Sequence, residues 1–227
     1  NEGAILAARA GRTEITMADL EEASEKVQMG PEKKSKIVPE DEKRIVAYHE
    51  VGHAIVGYEI GSEDRVHKIT MIPRGKAGGY TLLLPEEEKS FHSKKHMLDK
   101  IATYFGGRAA EEIIFGKENI TSGAGSDIYH ATAIAKEIVT RFGMTDQFGP
   151  IFLDATQEDY MFQRKYYSEQ TGKEVDDEIR KIITEQYSRT KSILLDNREK
   201  LEEVTKILLE KETIMGPEFE AIMADKN

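Results

Sequence analysis

The sequence predicts a mainly helical fold with a small β-sheet, and three observations carry that expectation. Apolar residues recur at helical spacing over most of the chain. Only the region from 66 to 84 switches to short β-branched runs around a glycine-rich turn. A content of 39% hydrophobic and 33% charged residues is that of a water-soluble, core-forming chain. The net charge of −10, without a sizeable basic patch, argues against nucleic acid as a partner. Cysteine is absent, so any metal must sit on His, Asp or Glu. No apolar run approaches the roughly 20 residues of a membrane span, and no signal peptide is visible. The opening "NEGAILAARAG", without an initiator methionine, reads as part of a longer chain.

Taken in order, residues 4–10 and 17–27 read as two short helices, the second capped by Thr16. Gly30, Pro31 and the lysines Lys33, Lys34 and Lys36 interrupt the pattern. They place a linker over 31–38, between a first unit of residues 1–30 and a main domain of residues 39–227. Pro39 with Glu40, Asp41 and Glu42 starts a helix, since proline suits the first turn and acids suit its positive dipole end. On it Ile45, His49, Gly52, His53, Val56 and Ile60 share one face, which turns both histidines inward. Strands are expected at 66–72 and 80–84, with Pro85 ending the second. One helix is expected over 93–115, the pair Gly106-Gly107 permitting close packing within it, and another over 127–142 with Gly143 as its stop. Residues 160–170 show no period and read as loop. Two long amphipathic helices fill 175–211, hinged near Asp196-Asn197.

The stretch "AYHEVGHAIV", residues 47–56, sets His49 and His53 one helical turn apart, so both imidazoles can face a single ion at about 2.0 Å. Zinc suits such ligands. Glu50 is rotated roughly 100° from His49, beside the metal rather than on it. There it can take a proton from water attacking a polarised carbonyl and return it to a leaving amine, which is the chemistry of peptide-bond hydrolysis. A chance match in a core helix is the competing account, expected on the order of once in a hundred chains of this composition. Catalytic zinc usually keeps three protein ligands. Glu111 and Glu112 in "GGRAAEEIIFG" and Asp127 after "TSGAGS" are all available, and Asp127 equally suits a helix cap or first turn; spacing does not choose. His92 and His96 repeat the four-residue spacing across two lysines and read as a solvated helix face, while His67 and His130 lack paired partners. The strand bearing Ile69, Thr70 and Met71 is expected to present an edge to which an extended substrate adds by main-chain hydrogen bonds.

Several stretches together resemble the FtsH family of membrane-anchored, ATP-dependent zinc metalloproteases. "YHEVGHAIVG" is similar to its metal helix, "VHKITMIPRG" and "GYTLLLPEE" to its strand pair, "GGRAAEEIIFG" to its central helix, and "TSGAGSDIYHATAIAKEIV" to its third-ligand helix. The likeness spans nearly the whole chain. It implies a helical zinc metallopeptidase domain preceded, over residues 1–30, by the end of an AAA+ lid. It also implies one Zn2+ per chain on His49, His53 and Asp127, with Glu50 as catalytic base, and so prefers Asp127 to Glu111 and Glu112. In "RGKAGG" the chain departs from the family at Gly78, where leucine is usual. The resemblance further implies a homo-hexamer in which an ATPase module of the same polypeptide feeds unfolded polypeptides to the zinc sites for protein quality control. A membrane anchor would lie elsewhere in the parent protein, with the protease facing the cytoplasm, at a bacterial inner membrane. No phosphate-binding G-x-x-x-x-G-K-[ST] loop occurs in these residues, so they are expected to bind no nucleotide. The alternatives are a non-catalytic, metal-stabilised assembly module, which the intact Glu50 disfavours, and a stand-alone zinc peptidase with Glu112 as third ligand.

Overall fold

Around residues 47–57 the sequence is apolar or histidine-bearing on every face, and the helix they form is enclosed on every side. A computed structural model describes residues 1–33, 38–75, 77–87, 89–154 and 167–225. Before that central helix come α1 (Glu2–Arg9) and α2 (Met17–Met29). Thr16 and Asp19 close a capping box on α2, and Asp19 also receives both guanidinium nitrogens of Arg12, at 2.5 and 2.6 Å. The central helix, α3 (Glu40–Ile60), has Pro39 as its N-cap, three acids in its first turn and left-handed Gly61 (φ 63°) at its end.

Strands β1 (Asp64–Thr70), β2 (Tyr80–Pro85) and β3 (Thr213–Met215) form an antiparallel sheet in the order β2-β1-β3. This corrects the expected edge at Ile69, Thr70 and Met71. Ile69 stands opposite Thr81 on one side and Ile214 on the other, Thr70 opposite Tyr80 and Thr213, and the Met71 N–H donates to the Glu212 carbonyl at 3.0 Å. The strand is central because a third strand, only three residues long, closes its far side. So short a run carries no legible alternation.

The single helix expected over 93–115 is two, α4 (Lys94–Tyr104) and α5 (Gly106–Phe115), with Phe105 between them. Helix α5 crosses α3 at glycines: a Cβ on Gly52 would fall 2.4 Å from the Gly106 carbonyl oxygen, and one on Gly106 would fall 2.6 Å from that of Gly52. Helix α6 (Gly125–Thr140) ends ahead of Gly143 (φ 55°). Then α7 (Glu169–Asp196) and α8 (Arg198–Lys211) meet at Asn197, where the hinge was expected. A helix α9 (Gly216–Ala224), with proline in its first turn, was not foreseen. Of the expected loop at 160–170 and linker at 31–38, residues 160–166 and 34–37 lie outside the described residues; Glu169 and Gln170 already belong to α7.

One core cluster joins α3, α5, α8, α9 and the sheet with Ala102 of α4 and Leu194 of α7, a second joins α4, α6 and α7, and Tyr187 packs against both. In the first, Leu194, Leu201 and Leu208 are fully buried, each contributing roughly 1.5–3 kcal/mol. The resulting scaffold fixes α3 against α4, α5 and the sheet.

Candidate metal centre

Helical spacing puts His49 and His53 on one side of α3, and packing then aims their rings. The Nδ1–H of His49 donates to the buried carboxylate of Glu111 at 2.8 Å, and the Nδ1–H of His53 to the Thr103 carbonyl at 2.8 Å. In the neutral rings, the form that binds a metal, both Nε2 atoms are thereby left as lone-pair donors on the same side. They point at Asp127 in the first turn of α6, whose Oδ2 lies 3.3 Å from Nε2 of His49 and 3.6 Å from that of His53. Among the described residues this is the one cluster of three His and carboxylate ligand atoms, all within 4.8 Å of one another. Two imidazole nitrogens and a carboxylate oxygen, backed by hydrogen-bonded partners, fit a divalent ion such as zinc.

The neighbours explain the local sequence. Glu111 is itself fixed by the Thr121 N–H at 2.6 Å and its hydroxyl at 3.2 Å. Gly107 leaves room for the ring of His49, since a Cβ there would fall 2.4 Å from Nε2. Glu112, one residue on, instead accepts from the Tyr187 hydroxyl and from Lys191, away from the histidines. Of the acids that spacing left open, Glu111 touches the rear nitrogen of His49, Glu112 touches neither histidine, and Asp127 faces both Nε2 atoms.

Burial opposes charge on His49, but Asp127, Glu111 and Glu50 outweigh it and raise its pKa to about 10. For Asp127, burial would raise the pKa, yet the two histidines hold it well below the ordinary carboxylate range. Glu50 behaves in the opposite way: desolvation dominates and pushes its pKa up in spite of the histidines beside it. Its Oε2 accepts the Thr81 hydroxyl at 2.9 Å, and that hydroxyl also reaches the Glu50 carbonyl at 2.8 Å.

A cavity of about 520 Å³ opens over these groups, with His49, Glu50, His53 and Asp127 on one wall and residues 77–83, including β2, on another. Sequence reasoning missed Thr81, Thr103 and the supporting role of Glu111. Only the Gly106-Gly107 pair signalled a close approach in advance. The expected solvated face at His92 and His96 is corrected for His96, which is buried, stacked on His92 at 4.6 Å, with Nδ1 3.6 Å from Glu63. His67 lies 3.8 Å from Glu21, and His130 stacks on Tyr104.

A buried helix with paired histidines and an adjoining carboxylate, an aspartate from a later helix, and a strand-walled cavity form a candidate metal centre of the HExxH type. Residues 36–222 match peptidase family M41, and the chain belongs to that family. It is 48% identical over 98% of its length to the ATP-dependent zinc metalloprotease FtsH 3 of Petrotoga mobilis. Its identity is 45%, over the full chain, to ATP-dependent zinc metalloprotease FtsH of Thermotoga maritima, and 44%, over 94% of the chain, to that of Bacillus subtilis. The chain spans only 34% to 38% of these relatives' own lengths.

Proposed function

We propose that this chain is the peptidase portion of an ATP-dependent zinc metalloprotease that cuts internal peptide bonds of unfolded polypeptides. In this reading His49, His53 and Asp127 hold one zinc ion and Glu50 is the general base. The observation that carries it is the convergence of two oriented Nε2 atoms on Asp127 beside a buried glutamate at a cavity wall. Zinc, when bound, supplies the Lewis acidity that polarises a carbonyl and acidifies water.

The chain's own residues supply the rest. Glu111 and the Thr103 carbonyl orient the histidines. Glu50, with its proton affinity raised by burial, takes a proton from the attacking water and passes it to the leaving amine. Strand β2, at the sheet edge and along the cavity wall, offers main-chain groups to an extended polypeptide. It takes the part expected of Ile69, Thr70 and Met71. Main-chain recognition is weakly sequence-selective, which suits unfolded substrates.

With this goes the organisation of the parent protein. Residues 1–30 are the end of an AAA+ lid, 31–38 a linker and 39–227 the peptidase domain. The ATPase lies elsewhere in the same polypeptide, which assembles as a homo-hexamer anchored in a membrane, in bacteria the inner one, with the protease facing the cytoplasm. The relatives' name, ATP-dependent zinc metalloprotease, supports this assignment. No described helix is long and apolar enough to cross a membrane.

The test is hydrolysis of casein by the zinc-supplemented chain beside Glu50→Gln, with zinc content measured for both. The expected result is one zinc per chain in each, and cleavage at least about a hundred-fold slower in the variant. Failure of the unmodified chain to take up zinc, or cleavage by Glu50→Gln at the unmodified rate, would overturn the reading.

A further inference from the structure

Two neighbouring residues of β2 are anchored on opposite sides of the strand, as its two-residue period requires. Thr81 holds Glu50 on one side. On the other, the buried Tyr80 hydroxyl donates to Glu25 of α2 at 2.6 Å and accepts from Arg74 Nε at 3.3 Å. Arg74 has a fully buried side chain and lies 3.0 Å from Glu25 and 2.9 Å from Glu32, with Glu22 as a further partner. Lys68 of β1 is a second cation on Glu25.

Main chain reinforces this joint. The Lys33 N–H donates to the Pro73 carbonyl at 2.8 Å. Gly75 (φ 51°) approaches the end of α2 so closely that a Cβ would fall 2.3 Å from the Met29 carbonyl oxygen. Buried ions tolerate loss of a partner poorly, so breaking one contact of the cluster is costly to the rest. Consecutive residues are held by a rigid peptide unit, so a displacement of Tyr80 by even half an ångström or so is felt at Thr81, whose hydrogen bond has little slack.

We propose that α2 is a positioning element for the hydrolytic centre: through Glu25, Tyr80 and Thr81, the placement of residues 1–33 sets the orientation of Glu50. The inference rests on the reading of Glu50 as base, and Glu25, Tyr80 and Thr81 are positioning residues that act through it.

The experiment uses the full chain carrying Glu25→Gln, Tyr80→Phe, Thr81→Val or Thr81→Ser, with Glu14→Gln, an exposed residue outside the cluster, as control. At one fixed pH, the Thr81 methyl and Glu50 carboxyl carbon resonances are followed by NMR, and kcat and KM are measured on a peptide. Glu25→Gln and Tyr80→Phe are expected to shift both resonances and lower kcat about five- to thirty-fold with KM within about two-fold. Thr81→Val should show the same kcat loss, Thr81→Ser should restore most of it, and Glu14→Gln should change nothing. If Glu25→Gln does not fold, Tyr80→Phe, which keeps the ring and loses only the hydroxyl, decides. Resonances unmoved in Tyr80→Phe would overturn the proposal, as would a full kcat in Thr81→Val. Shifted resonances in a chain that hydrolyses nothing would uphold the mechanical link and sink the peptidase reading instead.

Discussion

Asp127 and Glu112 illustrate how residue roles are decided by contact rather than type. Both are acids within reach of the histidines by sequence spacing, yet one faces the two Nε2 atoms and the other is neutralised by Lys191. Asp127→Asn is therefore expected to lose bound zinc in elemental analysis while Glu112→Gln retains it, and the reverse result would reassign the third ligand. Glu111→Gln should keep the zinc but weaken it about 10- to 100-fold in chelator competition, because the carboxylate that raises the basicity of His49 is gone. His49 also sets a pH dependence. Its pKa in the folded, chelator-treated protein is raised, to about 10, so its stabilisation is fully present below the ordinary histidine value of about 6.5. That contribution, on the order of a few kcal/mol, is lost as pH climbs from there through about 10. Melting temperature in excess chelator should fall across that window, and a flat profile would count against the arrangement around His49.

Elements meet where the sequence leaves out side chains. The Gly52 and Gly106 contact brings α3 and α5 together backbone to backbone. Gly52→Ala is thus expected to destabilise the chain by about 2–3 kcal/mol or more in urea unfolding, since the obstructing atom is main chain and cannot rotate away. Gly107→Ala has a different signature: a Cβ there displaces the His49 ring, so zinc affinity should drop by at least about ten-fold, whatever the change in stability. Most helices, the cap at Thr16 and the hinge at Asn197 were legible because each depends on a few adjacent residues, while α9 was not foreseen. Strand β3 and the break at Phe105 were not. The first is too short for a pattern, and the second falls just before Gly106, which meets Gly52 of a distant segment.

At the scale of the molecule, the donor atoms bridge α3 and α6, which belong to different parts of the core. A zinc ion held there links elements that otherwise meet through the contacts of His49 and His53 with Asp127. Zinc at about a thousand times its Kd is expected to add about 4 kcal/mol, a rise of roughly 10 °C in melting temperature for a chain of this size. Calorimetry of the zinc-loaded and chelated protein checks it, and coincident melts would argue against a bridging site. From sequence alone followed the helical class, the inward-facing histidines with their adjoining glutamate, and the likeness to a zinc metallopeptidase family, because each is written within one turn of helix or one contiguous motif. Spacing left the acid open and the resemblance preferred Asp127, which the structure sets against both Nε2 atoms; only the tertiary structure decided that Glu111 backs His49, that β1 is a central strand and β2 an edge, and that Thr81 meets Glu50 from 31 residues away. Those facts depend on the close approach of glycine-lined backbones and on buried hydrogen bonds between distant segments, and neither leaves a periodic trace along the chain.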